Sequence, residues 1–153
     1  MAVFHKRGSL SNFSELLPEE YGTPTNQKAE IYAAIRAVQT ARNLFKAESS
    51  FISVEIKLDS EYVRKGITSW IKGWKANGWH VANGKAVLNQ DLWFKLDDAI
   101  EECKQDKIEI VWHHVAGHAK CKGNIEVDKM AHGLASRIME QKKKKCCCSI
   151  VSK

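Results

Sequence analysis

The stretch that decides the fold is FISVEIKLDSEYV, residues 51–63. Its first half alternates between apolar and polar residues, which is the period of a strand that buries one face. The apolar positions are Ile52, Val54, Ile56 and Leu58. Asp59 ends the predicted strand, and a helical pattern then covers roughly residues 60–77. A strand that passes directly into a helix is the start of a crossover unit, which predicts a parallel partner strand elsewhere in the chain.

The sequence on either side supplies further elements of the same kind. A helix is predicted from about Gln27 to Lys46, with Thr25 or Asn26 as its cap, because apolar residues recur there at helical spacing. Strand and helix alternating with long crossovers indicate an α/β fold with parallel pairing. The other predicted elements are two short strands within residues 1–17, a helix from about residue 89, a strand at 108–115, and a last helix striped by Val127, Ala131, Leu134 and Ile138.

The composition fits one ordinary globular domain. The chain has 153 residues, of which 44% are hydrophobic and 27% are charged, which is enough to bury a core. It contains no apolar run of membrane-spanning length and no secretory signal pattern at its start. Its 5 cysteines do not suggest a disulfide framework, since three are adjacent at 146–148. We therefore expect a domain at 1–140, a disordered Lys/Cys-rich tail at 141–153, and a soluble intracellular protein with reduced thiols.

The net charge of +6 comes mainly from the tail. Five of the 24 basic residues lie in 141–153, where there is no acid, so residues 1–140 are nearly neutral. Within that body the charge is uneven, because no acid occurs between Glu61 and Asp91. The acid-free stretch contains Arg64, Lys65, Lys72, Lys75 and Lys85, interleaved with Trp70, Trp74 and Trp79. Charge that is unevenly spread in this way is informative about partners.

Three acids occupy places that suggest chemistry. Glu30 lies at the start of a predicted helix, Asp59 at the carboxyl end of a predicted strand, and Asp128 in the first turn of the last helix. Ligands of open α/β sheets bind beyond the carboxyl ends of the strands. Three carboxylates in one crevice repel one another unless cations lie between them, and oxygen ligands suit Mg²⁺ or Mn²⁺. Taken singly, each acid is more often a capping or turn residue.

Local sequence strings connect these acids to a known family. The strings are TNQKAE at 25–30, LDSEYV at 58–63, GITSWIKGW at 66–74, NGW at 77–79, NQDLW at 89–93 and VAGH at 115–118, followed by Gly123, Asn124 and Asp128. In order and spacing they resemble the type 1 ribonuclease H family along roughly residues 2–140. The resemblance implies a mixed sheet with helices on both faces and cleavage of the RNA strand of RNA–DNA hybrids, without a small-molecule cofactor.

The resemblance also implies roles for the acids and for one histidine. Glu30, Asp59 and Asp128 match the carboxylates that hold two Mg²⁺ or Mn²⁺ ions. His118 matches a mobile-loop histidine that assists proton transfer or product release. A lone histidine in a loop is more often a plain surface residue. The Gly-His pair ten residues before Asp128 favours the catalytic interpretation.

Further positions match the family's contacts to the hybrid. Thr25 and Asn89 match residues that hold a phosphate of the DNA strand, and Asn26 and Gln27 match residues that reach the minor groove, where 2′-hydroxyls are displayed. The remaining matches form a channel and a basic handle for the DNA strand: Tyr62, Trp70, Trp74, Lys72, Lys75 and Lys85. For the tryptophans the alternative is core packing between helices.

The first residues depart from the family pattern. The family opens with a central strand whose Asp bridges both metal ions, whereas residues 1–4 already resemble its second strand. We therefore expect a ribonuclease H-like sheet that lacks the first, central strand, a chain that folds poorly, and impaired cleavage. Thr23 stands where many relatives have a phosphate-binding Arg, and Ala82 replaces a small hydroxyl residue. The alternative function is a non-catalytic module that binds RNA–DNA hybrid or double-stranded RNA.

The tail lies outside the resemblance. Lys142 to Lys145 adjoin Cys146 to Cys148, a pattern that resembles a palmitoylated polybasic membrane anchor. A disordered tail that adds nonspecific affinity for nucleic acid is the favoured interpretation. We expect a monomer. The sequence does not distinguish nucleus, cytoplasm and mitochondrion.

Overall fold

The computed structural model describes residues 2–3, 13–47 and 50–115, together with the single positions 129 and 133. The chain divides into two compact units, one of Met1–Leu16 with His118–Lys153 and one of Leu17–Gly117. In the first unit, strands β1 (Ala2–Val3) and β2 (Phe13–Ser14) pair antiparallel. This confirms the two short strands that the sequence predicts. The predicted last helix and the tail fall outside the described residues, apart from those two positions.

The second unit alternates helices and strands as predicted. A short 3₁₀ turn at Glu19–Tyr21 precedes the first long helix. The segment predicted as one helix over 60–77 is helical from residue 61 to residue 76, with a π-helical piece at Gly66–Trp70 in its middle. The named elements are α1 (Asn26–Phe45), β3 (Ile52–Leu58), α2 (Glu61–Lys65), α3 (Ile71–Ala76), α4 (Gln90–Gln105) and β4 (Ile108–His114).

The two strands of the second unit are parallel. Ile52 lies opposite Ile108, and the register continues to Leu58 opposite His114. The N–H of Val115 donates to the carbonyl of Leu58 at 2.9 Å, so the hydrogen bonding extends one residue past β4. Within the described residues this sheet consists of these two strands. Both strands end at the same edge, and this edge is where Asp59 follows β3.

Helices α1 and α4 cover one face of β3 and β4. The alternation predicted for β3 is present, since Ser53, Glu55 and Lys57 are exposed and Ile56 is buried. Among the fully buried side chains are Ile31, Ile35, Val38, Leu92, Trp93, Leu96, Cys103 and Ile108. Burying this much apolar surface is the main source of stability, at roughly 25 cal/mol per Å². In the described residues no helix is long and apolar enough to cross a membrane.

Arg42 links the C-terminal ends of α1 and α4 through ion pairs. Arg42, in the last turn of α1, contacts Glu102 at 2.5 Å and Asp106 at 2.6 Å, and both acids lie at the end of α4. The hydrogen bond to Asp106 raises the pKa of Arg42 further. Nearby, the thiol of Cys103 is fully buried and points at the carbonyl of Val38, and this burial raises its pKa. Cys103 is therefore a packing residue rather than a reactive thiol.

Candidate active site and nucleic-acid interface

The structure brings Glu30 against the residue that follows Asp59. Glu30 lies one turn into α1, and Asp59 is exposed at the carboxyl end of β3. The hydroxyl of Ser60 donates a hydrogen bond of 2.6 Å to Oε2 of Glu30. Two of the three carboxylates predicted as metal ligands therefore come from adjoining positions at one edge of the sheet, where ligands of α/β folds bind.

Both chain segments at this edge begin helices with a side-chain cap. Thr25 Oγ1 accepts from the N–H of Lys28 at 3.3 Å, which identifies Thr25 rather than Asn26 as the cap of α1. Ser60 Oγ accepts from the N–H of Val63 at 3.2 Å and caps α2. Capping residues of this type stabilise a helix by about 1 kcal/mol each. The positions of Glu30 and Asp59 are thus set by well-formed helix starts.

A third acid at this edge, Glu61, already forms ion pairs with basic side chains of this chain. Its carboxylate contacts Arg64 at 2.8 Å and Lys65 at 3.3 Å, and His114 lies 3.8 Å away. The hydrogen bond from Arg64, helped by Lys65, lowers the pKa of Glu61 to about 2. Glu61 therefore stays ionised and paired with its neighbours. Asp59, for which the described residues show no such ion pair, is the better candidate ligand.

The donor chemistry of the site suits a hard divalent cation. Glu30 and Asp59 offer only carboxylate oxygens, the ligands that Mg²⁺ and Mn²⁺ prefer. Within residues 13–47 and 50–115, no group of three or more His, Cys, Asp or Glu side chains is arranged to hold a metal ion. The predicted third ligand, Asp128, and the predicted assisting histidine, His118, lie outside the described residues. Of the three acids predicted as ligands, the described part thus contains two, Glu30 and Asp59.

The predicted channel residues belong to one cluster of aromatic rings. Trp93 is fully buried at its base and packs edge-on against Trp74 at 5.3 Å and Tyr62 at 5.5 Å between ring centroids. Trp70 contacts both Tyr62 and Trp74 and is 38% exposed. Trp74 is half-buried, so it serves the core and the surface together. Core packing therefore accounts for part of this cluster, and a channel for the DNA strand stays a prediction.

Sequence reasoning missed one aromatic of this surface. Phe94 is 39% exposed and packs on Trp79 with ring centroids 4.1 Å apart. Trp79 has a positive φ of 61°, a conformation that few non-glycine residues adopt. The signal in the sequence was a pair of adjacent aromatic residues, Trp93 and Phe94, in one helix. The apolar face of that helix buries only Trp93, which leaves Phe94 at the surface.

The three predicted handle lysines differ in their surroundings. Lys75 Nζ contacts Asp97 at 2.8 Å, and this hydrogen bond raises the pKa of Lys75. Asp97 is 14% exposed, so the pair is partly desolvated. Lys72 and Lys85 are exposed, and neither has an ion pair in the part of the chain that the structure describes. The positive charge that is free for a polyanion is therefore that of Lys72 and Lys85.

The predicted phosphate contacts lie at helix starts. Thr25 caps α1, where Asn26 and Gln27 are exposed in the first turn, and Asn89 precedes α4 in a left-handed conformation with φ of 56°. The Nδ2 group of Asn89 is buried without a hydrogen-bond partner in the described part of the chain. A buried donor without a partner is costly and calls for an explanation, and helix N-termini favour anions. That Asn89 binds a phosphate stays a prediction.

Comparisons with known proteins find relatives of this chain and similar folds. The RNase H family model matches residues 1–136. A ribonuclease H of Nitrobacter hamburgensis is 39% identical over an alignment of 127 residues, and the match covers 81% of this chain and 76% of that protein. The solution structure of the PFV RNase H domain superposes with a TM-score of 0.60 at 25% identity, covering 86% of this chain and 76% of that one.

A larger solved structure shows the same likeness. It is the foamy viral protease-reverse transcriptase in complex with an RNA/DNA hybrid, with a TM-score of 0.56 and 27% identity. The match covers 72% of this chain and only 14% of the viral one, so it concerns a small part of that protein.

Proposed function

Because the chain belongs to the ribonuclease H family, we propose that it hydrolyses the RNA strand of RNA–DNA hybrids with two divalent metal ions, leaving a 3′-hydroxyl and a 5′-phosphate. The observation that carries this proposal is the hydrogen bond from Ser60 to Glu30 beside Asp59 at the carboxyl end of β3. The bond links two elements that are distant in sequence and that carry, at one edge of the sheet, two of the acids that we propose as metal ligands.

Each carboxylate has a defined part in the proposed reaction. Glu30, Asp59 and Asp128 would hold the Mg²⁺ or Mn²⁺ ions through carboxylate oxygens. When bound, such ions activate a water molecule and stabilise charge on the phosphodiester oxygens. His118 would move a proton to or from the reacting oxygens, a contribution typically worth about two to four orders of magnitude in rate. Glu61 takes no part, because Arg64 and Lys65 occupy it.

The remaining predicted residues would hold the substrate without reading its base sequence. Thr25 and Asn89 would bind a phosphate of the DNA strand, since each lies at the start of a helix, where anions are favoured. Asn26 and Gln27, exposed on the first turn of α1, would reach the 2′-hydroxyls in the minor groove. The DNA strand would run over Tyr62, Trp70 and Trp74 toward Lys72, Lys75 and Lys85, where phosphate contacts position it without specifying sequence.

A cleavage assay tests the proposed function directly. The chain is incubated with Mg²⁺ and an RNA–DNA hybrid labelled on the RNA strand, next to DNA duplex and single-stranded RNA of the same sequence. We expect cuts in the RNA of the hybrid alone, with 5′-phosphate ends, and no cuts when EDTA is present. Hybrid binding without any cleavage would contradict the proposal and favour a non-catalytic binding module.

The lysines give a separate prediction about binding. Changing both Lys72 and Lys85 to Gln should weaken hybrid binding and make it less sensitive to salt. The logarithm of the association constant falls with the logarithm of the salt concentration, and the steepness of this fall should decrease by about 1.8, since each neutralised phosphate contributes about 0.9. Lys75→Gln should flatten the slope less, because Asp97 already compensates its charge. Fluorescence anisotropy at several salt concentrations measures both quantities.

The matched control for these changes is Lys46→Gln. Lys46 is exposed and follows the other end of α1, about 30 Å from Thr25 for a helix of this length. We expect this variant to bind with the parental slope. If Lys75→Gln flattens the slope as much as the double change does, the division of the handle into free and paired lysines is wrong.

A further inference from the structure

We infer that Ser60 is a positioning residue for Glu30, and that its hydroxyl holds one metal-binding carboxylate in place beside Asp59. The inference rests on the proposed function, since it concerns the same site. It starts from a contact between residues 30 positions apart in sequence, Ser60 Oγ to Glu30 Oε2 at 2.6 Å. That length is typical of a hydroxyl donating to an ionised carboxylate, among the stronger hydrogen bonds in proteins.

The hydroxyl of Ser60 makes two hydrogen bonds with different roles. As an acceptor it takes the N–H of Val63 at 3.2 Å and caps α2. Because that bond occupies a lone pair, the single hydroxyl proton is free to point elsewhere, and it points at Glu30. The backbone of Ser60 is fixed as well, since its carbonyl accepts from the N–H of Arg64 at 3.0 Å. Two hydrogen bonds within α2 thus fix the position of the Ser60 hydroxyl, independently of its contact with Glu30.

The neighbouring backbone is fixed in the same way. The carbonyl of Leu58, two residues before Ser60, accepts from Val115 at 2.9 Å and joins the end of β3 to the end of β4. Glu30 lies on α1, a separate element, and its side chain has several rotatable bonds. Within the described residues, Ser60 provides the one side-chain hydrogen bond to the Glu30 carboxylate. Oε2 is therefore held, while Oε1 has no hydrogen-bond partner there and is available to a cation.

The contact between Ser60 and Glu30 is of the kind that orients metal ligands in proteins, in which a group that does not touch the metal hydrogen-bonds to a ligand that does. Groups that hydrogen-bond a ligating carboxylate fix its orientation, and removing them typically lowers metal affinity or activity by about 10–100-fold. Asp59 and Ser60 are adjacent in sequence, so one short segment supplies a ligand directly and orients a second one. Ser60 itself need not touch the ion or the substrate.

Calorimetric titration of the full chain with Mn²⁺ tests the inference without relying on cleavage. Ser60→Gly removes the donor but is well tolerated as a helix cap, whereas Ser60→Thr keeps both donor and acceptor. We expect Ser60→Gly to weaken Mn²⁺ binding by about tenfold, the lower end of the range for such partners, and Ser60→Thr to bind like the parent. Melting temperatures of both variants, with Ser60→Ala as a reference for cap loss, separate positioning from stability.

A double-mutant cycle with Glu30→Gln decides whether Ser60 acts through Glu30. In the Glu30→Gln background, Ser60→Gly should cause no further loss of Mn²⁺ affinity. An equal loss in both backgrounds would overturn the positioning role. So would a Ser60→Gly variant that binds Mn²⁺ like the parent while Glu30→Gln binds weakly, and in that case the proposed metal site would stand. Parental Mn²⁺ binding by Glu30→Gln itself would instead overturn the metal site, and the inference with it.

Discussion

Asp59→Asn is expected to lower the rate of RNA cleavage by about a hundredfold or more while leaving hybrid binding equal or tighter. The amide keeps the size of the side chain and removes its negative charge. Stabilisation of the transition state by metal ions is worth several kcal/mol, and each 1.36 kcal/mol corresponds to a factor of ten in rate. Binding should improve because a negative charge beside the phosphates is gone.

The opposite signs of the two effects make this prediction specific. A variant that merely unfolds loses cleavage and binding together, whereas loss of a metal ligand separates them. Single-turnover cleavage with Mg²⁺ and anisotropy in EDTA, on the same samples, measure the two quantities. Glu109→Gln is the matched control, since it removes the same charge from an exposed residue at the start of β4, the opposite end of the strand pair from Asp59. Full cleavage by Asp59→Asn would show that the metal site is assigned to the wrong acid.

The elements that sequence predicted are those with a local signal. The alternation from Ile52 to Leu58 predicted β3, and the helical spacing from about Gln27 predicted α1, which begins at Asn26. Parallel pairing followed from the long crossover and is confirmed by the register of β3 with β4. These patterns are short-range consequences of burying one face of a strand or helix, so a single sequence contains them.

The features that sequence missed depend on partners far along the chain. The helix over 60–77 was predicted without its π-helical piece, whose first residue, Gly66, packs closely against Trp93, 27 residues later. Lys75 was assigned to the handle with no sign that Asp97 pairs with it. Ser60 lies within one of the family strings, but the sequence predicts no role for it, because its partner Glu30 is 30 residues earlier. Spacing predicts which face a residue occupies, but not which side chain meets it there.

For the candidate site the same division holds. The family strings identified Glu30 and Asp59, and the structure brings the segments that carry them together through Ser60. That these two acids bind metal ions stays a prediction, as do the roles of Asp128 and His118, which lie outside the described residues. No periodicity could have separated Asp59 from Glu61, since both follow the same strand. Arg64 separates them by pairing with Glu61.

Gly66→Ala is expected to destabilise the fold by about 1–3 kcal/mol, the usual cost of overfilling a packed core. A methyl group at Gly66 would overlap the indole of Trp93, lying 2.7 Å from its Cζ3 atom. Trp93 is fully buried and packs against Tyr62 and Trp74, so these neighbours restrict any movement of its ring away from the methyl group. The backbone at Gly66 has a right-handed helical φ of −53°, which alanine also adopts, so strain in the main chain does not contribute.

Gly73→Ala, in the same helical stretch, should stabilise the fold, whereas Gly66→Ala destabilises it. Nothing lies within 4 Å of the position that its Cβ would occupy, so the change only removes the entropic cost of a helical glycine, about 0.5–1 kcal/mol. For a chain of this size each kcal/mol shifts the melting temperature by about 2–4 °C. Thermal unfolding should therefore place Gly66→Ala below the parent and Gly73→Ala slightly above it. If both variants are stabilised, intrinsic helix propensity dominates at both sites, and the close contact between Gly66 and Trp93 does not set the packing of this helix.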